Sequence, residues 1–241
     1  MTLPSEPRTP GGPGAEDLPQ GEAKAAAVRD MFDTIAPRYD MVNRIMTFRM
    51  DVRWRRKAVR SLGLPPGSRA LDIAAGTGDL CIELTKQGLR PLSLDFSFGM
   101  LTADRSGVPR VQADALEMPL PDGSVDAVTC GFALRNLVDL GRFFDELGRV
   151  VRPGGRVALL DVASPPNKVL AWGHRVYFGR VVPRIGGWLS DPAAYRYLPK
   201  SVAYLPDPEV MLERLGVAGF VDVERALLSG GITQLITGTR A

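Results

Sequence analysis

The chain has 241 residues, 45% of them hydrophobic, with a formal net charge of +3, two cysteines and one histidine. That length supplies one α/β domain of about 200 residues with a full core and argues against a second. The charge is too small to announce a nucleic-acid partner, the cysteines and the lone His174 leave no metal cluster, and a Ser/His/Asp or Cys/His set would rest on His174 alone.

The N-terminal stretch, residues 1–24, carries Pro4, Pro7, Pro10, Pro13 and Pro19 among several glycines, a composition expected to remain a disordered tail. It has neither the basic start nor the apolar core of a leader, and no later run reaches the roughly 18 apolar residues of a membrane span, so the expectation is neither secretion nor integration. Residues 25–241 are read as a single domain. Val28, Met31, Phe32 and Ile35 stand at helical spacing before Pro37, a short helix follows around Asp40 to Thr47, and Val52, Trp54, Val59 and Leu62 make an amphipathic helix that stops at Gly63. This block, residues 28–62, precedes the first strand and can lie over a ligand crevice as a lid. Between Val28 and Arg60 it holds nine basic residues against four acidic ones, either a solvated face or a surface for anionic lipid or a charged partner.

Ser68 to Asp95 reads as a β-α-β unit: a strand ending at Asp72, a turn through Gly76 and Gly78, a helix to about Gln87, and a strand closing on Asp95. Glycines beyond a strand end let backbone approach a ligand, and an acid ending the next strand can accept both ribose hydroxyls, so the unit describes an adenosine site. A dinucleotide fingerprint would need glycine where Cys81 stands. An acid on each side of the turn, Asp72 and Asp79, disfavours a phosphate and suits a ligand carrying an ammonium and a sulfonium. The bland alternative is a tight turn and nothing more.

Helix Ser97 to Arg105, strands Val108 to Ala113 and Val125 to Cys130, helix Asp139 to Val151, an R-P-G-G turn and strand Arg156 to Val162 continue the alternation, which predicts a parallel, doubly wound α/β sheet with helices on both faces. Phe220 to Leu228 and Ile232 to Gly238 form a hairpin, hence one antiparallel strand. Residues 167–200 are an insertion holding two of three tryptophans and three of five tyrosines, with cations Lys168, Arg175, Arg180, Arg184, Arg196 and Lys200 against Asp191. Such a mixture suits an apolar or aromatic substrate near a membrane surface, or a cap whose aromatics pack on the core. Cys81 and Cys130 lie in apolar segments, as reduced core residues of a cytoplasmic protein.

In order, F-D-T-I-A-P-R-Y-D-M-V-N, D-V-R-W-R-R-K, L-D-I-A-A-G-T-G-D-L, F-A-L-R-N, R-P-G-G-R, P-R-I-G and A-Y-R-Y-L-P-K-S-V span nearly everything but the tail. On these motifs the chain resembles the ubiquinone/menaquinone biosynthesis C-methyltransferases. The resemblance implies a class I S-adenosylmethionine-dependent methyltransferase, Rossmann-like, with a seven-stranded sheet whose last strand is antiparallel. It implies a reduced polyprenylated quinol as substrate, demethylmenaquinol in preference to a ubiquinol precursor. It puts cofactor contacts at Thr77, Asp95, Asp114 and Ala115, and a further one at Gly131, where relatives have serine.

The residue chemistry runs beside this: Asp95 for the ribose, Asp114 for the adenine amino group, the Ala115 amide for a ring nitrogen, and Gly76, Thr77 and Gly78, with Asp72 before them, for the methionine end. Methylation of carbon needs the neighbouring hydroxyl to lose its proton, a task expected of Arg135 as the stabilising cation, with Asn136 orienting a water and Tyr39 completing the proton path; Asp40 is the next candidate for the base. A structural ion pair is the alternative for Arg135. The expected partners are the quinol and, through a peripheral contact, the inner face of an anionic membrane, with no nucleic acid or metal and with a homodimer left open. Two other classes compete: a methyltransferase for a soluble small molecule or RNA, which leaves the Y-D-x-x-N and Y-R-Y-L motifs without purpose, and a non-catalytic adenosine-binding or scaffold protein.

Overall fold

A computed structural model of the chain describes residues 20–182, 184 and 201–241. Helix α1 (Gly21–Ile35) begins earlier than the composition suggests, because Lys24 and the alanines Ala25, Ala26 and Ala27 outweigh the preceding glycine-rich run. Residues 21–24 of the expected tail are therefore helical. Lys24 is buried, donates to the Leu137 carbonyl at 2.7 Å and lies over the Tyr204 ring. A 3-10 turn at Ala36–Arg38 carries Pro37, and α2 (Tyr39–Met46) and α3 (Met50–Ser61) complete the N-terminal block.

The sheet is built from β1 (Arg69–Ile73), β2 (Arg90–Asp95), β3 (Arg110–Gln112), β4 (Val125–Gly131), β5 (Val151–Val162), β6 (Phe220–Leu228) and β7 (Thr233–Arg240). Its seven strands run in the order β3-β2-β1-β4-β5-β7-β6. β7 pairs antiparallel with both neighbours and the remaining pairings are parallel, so the expected single antiparallel strand is present. The R-P-G-G segment lies inside β5 as an irregularity in its pairing with β4, between the pairs at Val125 and Ala127, rather than as a turn before the strand.

Between the strands run α4 (Asp79–Lys86), α5 (Phe98–Ala103), α6 (Leu140–Val150), α7 (Lys168–Val176, continued by a wider turn Tyr177–Val181) and α8 (Pro208–Val217). The inward stripe of α6, Phe143, Phe144, Leu147 and Val150, packs with Met211 and Leu215 of α8 in one apolar layer. Trp54, Ala58, Leu80 and Leu84 of α3 and α4 fill the other. A third, smaller cluster joins Ile35, Val42 and Met46 to Met100 and Val182, and so fastens the N-terminal block to the body. The expected insertion is described only in part: Trp188, Asp191, Tyr195, Arg196, Tyr197 and Lys200, with most of the P-R-I-G and Y-R-Y-L motifs, lie outside the described residues.

Strand order reverses between β1 and β4, the place where open α/β sheets leave a crevice at the strand C-termini. Both strands end on non-glycine residues in the left-handed region, Ala74 (φ 50°) after β1 and Phe132 (φ 63°) after β4, which turns the chain sharply away on each side.

Candidate active site

Two cavities meet at this crevice. The first, with an empty volume of about 850 Å³, lies beyond β1, β2 and β4 and is roofed by Ala25, Val28, Arg29 and Phe32 of α1. Asp95 sits in its wall at 8% exposure. One carboxylate oxygen accepts the Gly76 N–H at 2.7 Å and the other the Ser97 N–H at 2.8 Å. Burial pushes this carboxyl up to about 6, against the pull of the backbone N–H groups of Ser97, Gly76 and Phe96. Asp114 and Ala115 follow β3 into the same wall, and the Asp114 carboxylate accepts the Leu116 N–H at 2.9 Å. Gly131 and Asn136 line it too. At Gly131 a Cβ would stand 2.8 Å from the tip of Leu80, so a serine there requires that side chain to move.

Of the glycine loop only Gly76 lines this cavity; it has φ +59° and nothing within 4 Å of where a Cβ would project. Asp72, expected at the methionine end, is instead fully buried and accepts the Thr129 hydroxyl at 2.7 Å, with the Cys81 thiol 3.6 Å away. Burial pushes it up to about 7. Gly78 backs onto Asp104 and Ser106, and Thr77 donates its hydroxyl to Asp40 at 2.5 Å. Asp79 pairs with Arg44 at 3.0 Å and Arg55 at 3.5 Å. The acids flanking the turn thus face the fold and the lid. Asp40, the reserve base, is held by Thr77 and Arg105 beside a separate, open depression.

The second cavity has an empty volume of about 1400 Å³ and is walled mainly by apolar and aromatic groups of α2, α3 and α7, among them Met46, Phe48, Trp54, Leu170 and Phe178. Tyr39 and Phe132 line both cavities. Tyr39 is half-buried; burial pushes its phenol up, opposed by the charges of Arg55 and Arg135, so it stays a protonated hydrogen-bond donor rather than a base. Arg135 reaches the second cavity, yet its Nη1 donates to Asp161 at 2.5 Å and to the Phe132 carbonyl at 2.7 Å, and its Nε to Ser201 at 3.2 Å. Asp161 is fully buried. The buried ion pair is therefore the arrangement that forms, and Asn136, expected beside the substrate, faces the first cavity. The three residues proposed for catalysis are neighbours of the junction but do not converge on one point.

Sequence reasoning did not single out Asp51, Arg55 or the Trp54 indole, which donates to Ser229 at 2.8 Å. Their signal was an arginine-rich helix whose apolar stripe also admits Asp51 and Arg55; both are buried.

Residues 20–240 match the profile of the ubiE/COQ5 methyltransferase family. The chain belongs to that family. Curated relatives include a demethylmenaquinone methyltransferase of Thermus thermophilus, 42% identical over 87% of this chain and 100% of that one, and another of Roseiflexus sp., 40% identical over 92% and 97%. A ubiquinone/menaquinone biosynthesis C-methyltransferase of Geobacter sulfurreducens is 38% identical over 90% of each chain. Among solved structures, a SAM-dependent methyltransferase of Thermotoga maritima superposes with TM-score 0.62 at 19% identity, over 88% of this chain and 99% of that one. One of Aquifex aeolicus gives 0.56 at 19%, over 78% and 89%. At such identities these two bear on the fold alone, and they carry the class I, Rossmann-like arrangement of the ubiE/COQ5 members.

Proposed function

We propose that the chain transfers a methyl group from S-adenosylmethionine to a ring carbon of a reduced polyprenylated quinol, with demethylmenaquinol as the acceptor. The observation that carries this reading is the pair of cavities joined at Tyr39 and Phe132, one equipped for an adenosine and the other apolar. The first fits the cofactor by its donor set: a buried strand-end carboxylate for the ribose, Asp114 and the Ala115 amide for the adenine, and a bare Gly76 backbone where the chain passes closest. When bound, the cofactor supplies an electrophilic methyl on a sulfonium.

The protein's own contribution is orientation and dryness. Met46, Trp54 and Phe178 offer an aromatic ring and its tail apolar walls, while α1, pinned where Asp33 accepts the Gly99 N–H at 2.8 Å and Lys24 grips Leu137, keeps water from the cofactor side. The names of the Thermus and Roseiflexus relatives favour a menaquinone precursor over a ubiquinone one. Among the described residues no helix is long and apolar enough to cross a membrane. On this reading the protein works from the cytoplasmic side and touches the bilayer through the exposed Phe48, Val169, Leu170 and Trp172 near the mouth of the second cavity. The lid (28–62) and the insertion (167–200) are the functional divisions of the single domain on this reading.

The test is incubation of the purified protein with S-adenosylmethionine and chemically reduced demethylmenaquinone, followed by mass spectrometry. One methyl added to the naphthoquinol ring is expected. Methylation of the ubiquinone precursor alone would transfer the assignment to that substrate, and no methylation of either would end it.

A further inference from the structure

A quinol carbon attacks a methyl group readily only once the neighbouring hydroxyl gives up its proton, and a phenol's pKa near 10 keeps that proton on at neutral pH. The residues already considered do not take it: Arg135 is matched by Asp161, Asn136 faces the cofactor cavity, Asp40 lines neither cavity but the separate open depression, and Tyr39 is itself protonated. Among the described residues, one carboxylate lines the apolar cavity, and it is Asp51. It is 2% exposed at the start of α3. One oxygen accepts the Thr47 hydroxyl at 2.7 Å and the other is paired with Arg55.

A helix start accounts for an acid here, since negative charge is favoured in a first turn. It does not account for a buried ion pair set into the wall of an otherwise apolar chamber, where a leucine would cost less. The pair stands at the reacting end: the Arg55 guanidinium lies 5.6 Å from the centroid of Phe132, a residue shared by both cavities, and its charge acts on Tyr39, the other shared residue. The remaining charged and titratable groups of this cavity are Tyr39 from α2, Arg135 past β4, and His174 and Tyr177 from the α7 side, with Asp79 behind Arg55. Tyr177 is engaged with the Met46 carbonyl at 2.8 Å; the His174 ring lies tilted by 43° against Phe178 at 4.4 Å, its Nε2 buried without a hydrogen-bond partner among the described residues.

We propose that Asp51, held by Arg55 and Thr47, is the catalytic base that takes the proton from the quinol hydroxyl adjacent to the carbon being methylated. The assignment rests on the quinol reading above. The O–H bond breaks with its proton going to the Asp51 carboxylate, and the oxygen's electron pair is delivered through the ring to form the new carbon–carbon bond. The sulfur–methyl bond breaks with its electrons remaining on sulfur. The ring carbon then loses its hydrogen to water as a proton, restoring aromaticity, and the oxygen recovers a proton from Asp51, so one proton in all is released.

The experiment compares wild type, D51N and D51E for quinol methylation between pH 6.5 and 10, with cofactor affinity measured by calorimetry. D51N is expected to lose at least about 100-fold in kcat at pH 7.5, the scale of a positioned base. Its cofactor Kd should stay within about twofold, and the deficit should shrink toward pH 10 as the substrate hydroxyl ionises unaided. D51E should recover tenfold or more over D51N. The assignment is overturned by D51N turnover within threefold of wild type, by a deficit that does not change with pH, by a larger base-rescued deficit in H174Q, or by D51N and D51E both failing to bind cofactor. A wild type that methylates no quinol overturns the functional reading itself, and this assignment with it.

Discussion

To accept two ribose hydroxyls Asp95 has to be ionised, and burial sets a lower pH limit on that. Its carboxyl is raised to about 6 in the free protein, so below that pH a proton occupies the oxygens the ribose needs. Ligand contact favours the ionised form, and binding must expel the proton. Cofactor affinity should therefore be constant above about pH 7 and weaken by up to about tenfold per pH unit below pH 6, which calorimetry across pH 5–8 would measure. In Asp95→Asn the slope should vanish and affinity fall by about 2 to 4 kcal/mol. Part of that loss is the Gly76 loop, whose N–H Asp95 holds, a structural duty that a bare strand-end acid does not announce. Asp95 was legible because spacing alone puts it at a strand end beside a glycine turn. The placement of Asp72 was not legible, since its side chain leaves the strand toward Thr129 and Cys81, and which way a strand residue turns depends on partners in β4 and α4 that local sequence does not display.

At the scale of elements, a buried ion pair joins the segment after β4 to the end of β5, through Arg135 and Asp161. Removing the cation strands a carboxylate in the core. Arg135→Met should lower stability by about 3 to 5 kcal/mol in urea unfolding. Arg135→Met/Asp161→Leu should regain much of that loss; failure of the second change to help would show that the arginine's bonds to Phe132 and Ser201 matter more than its charge partner. The alternation of strands and helices was readable throughout, because apolar runs of period 2 and 3.6 are local properties. The fate of R-P-G-G was not, as proline and glycine permit both a turn and an irregular strand, and only the register with β4 chooses. The lid's charge was only partly legible for a related reason: Arg44, Arg55 and Arg56 pair with Asp79, Asp51 and Glu83, acids brought to them by the fold.

For the whole molecule, one group of exposed apolar side chains gathers by the mouth of the second cavity. Phe48 is 73% exposed, Val169 76% and Trp172 66%, with exposed Arg49, Lys168 and Arg175 close by in sequence. Phe48 and Arg49 both hold left-handed backbone, φ 50° and 60°, a conformation disfavoured for such side chains and retained here at the cavity mouth. Immersing each exposed aromatic in acyl chains would contribute about 1.5 to 3 kcal/mol, and each nearby cation about 1 kcal/mol on an anionic surface. Sedimentation with vesicles containing phosphatidylglycerol should show binding that weakens with salt and drops at least tenfold in Phe48→Glu/Trp172→Glu, with cofactor affinity unaltered. Equal sedimentation of the variant would remove this face from the membrane.

The wall common to the two cavities consists of Tyr39 and Phe132, while their outer rims are different: α1 over one, Phe48 and the start of α7 around the other. Traffic can then be two-way and independent. On the proposed reading neither ligand would have to pass through the other's chamber, so the spent thioether could depart and a fresh donor arrive while the quinol stays where it lies.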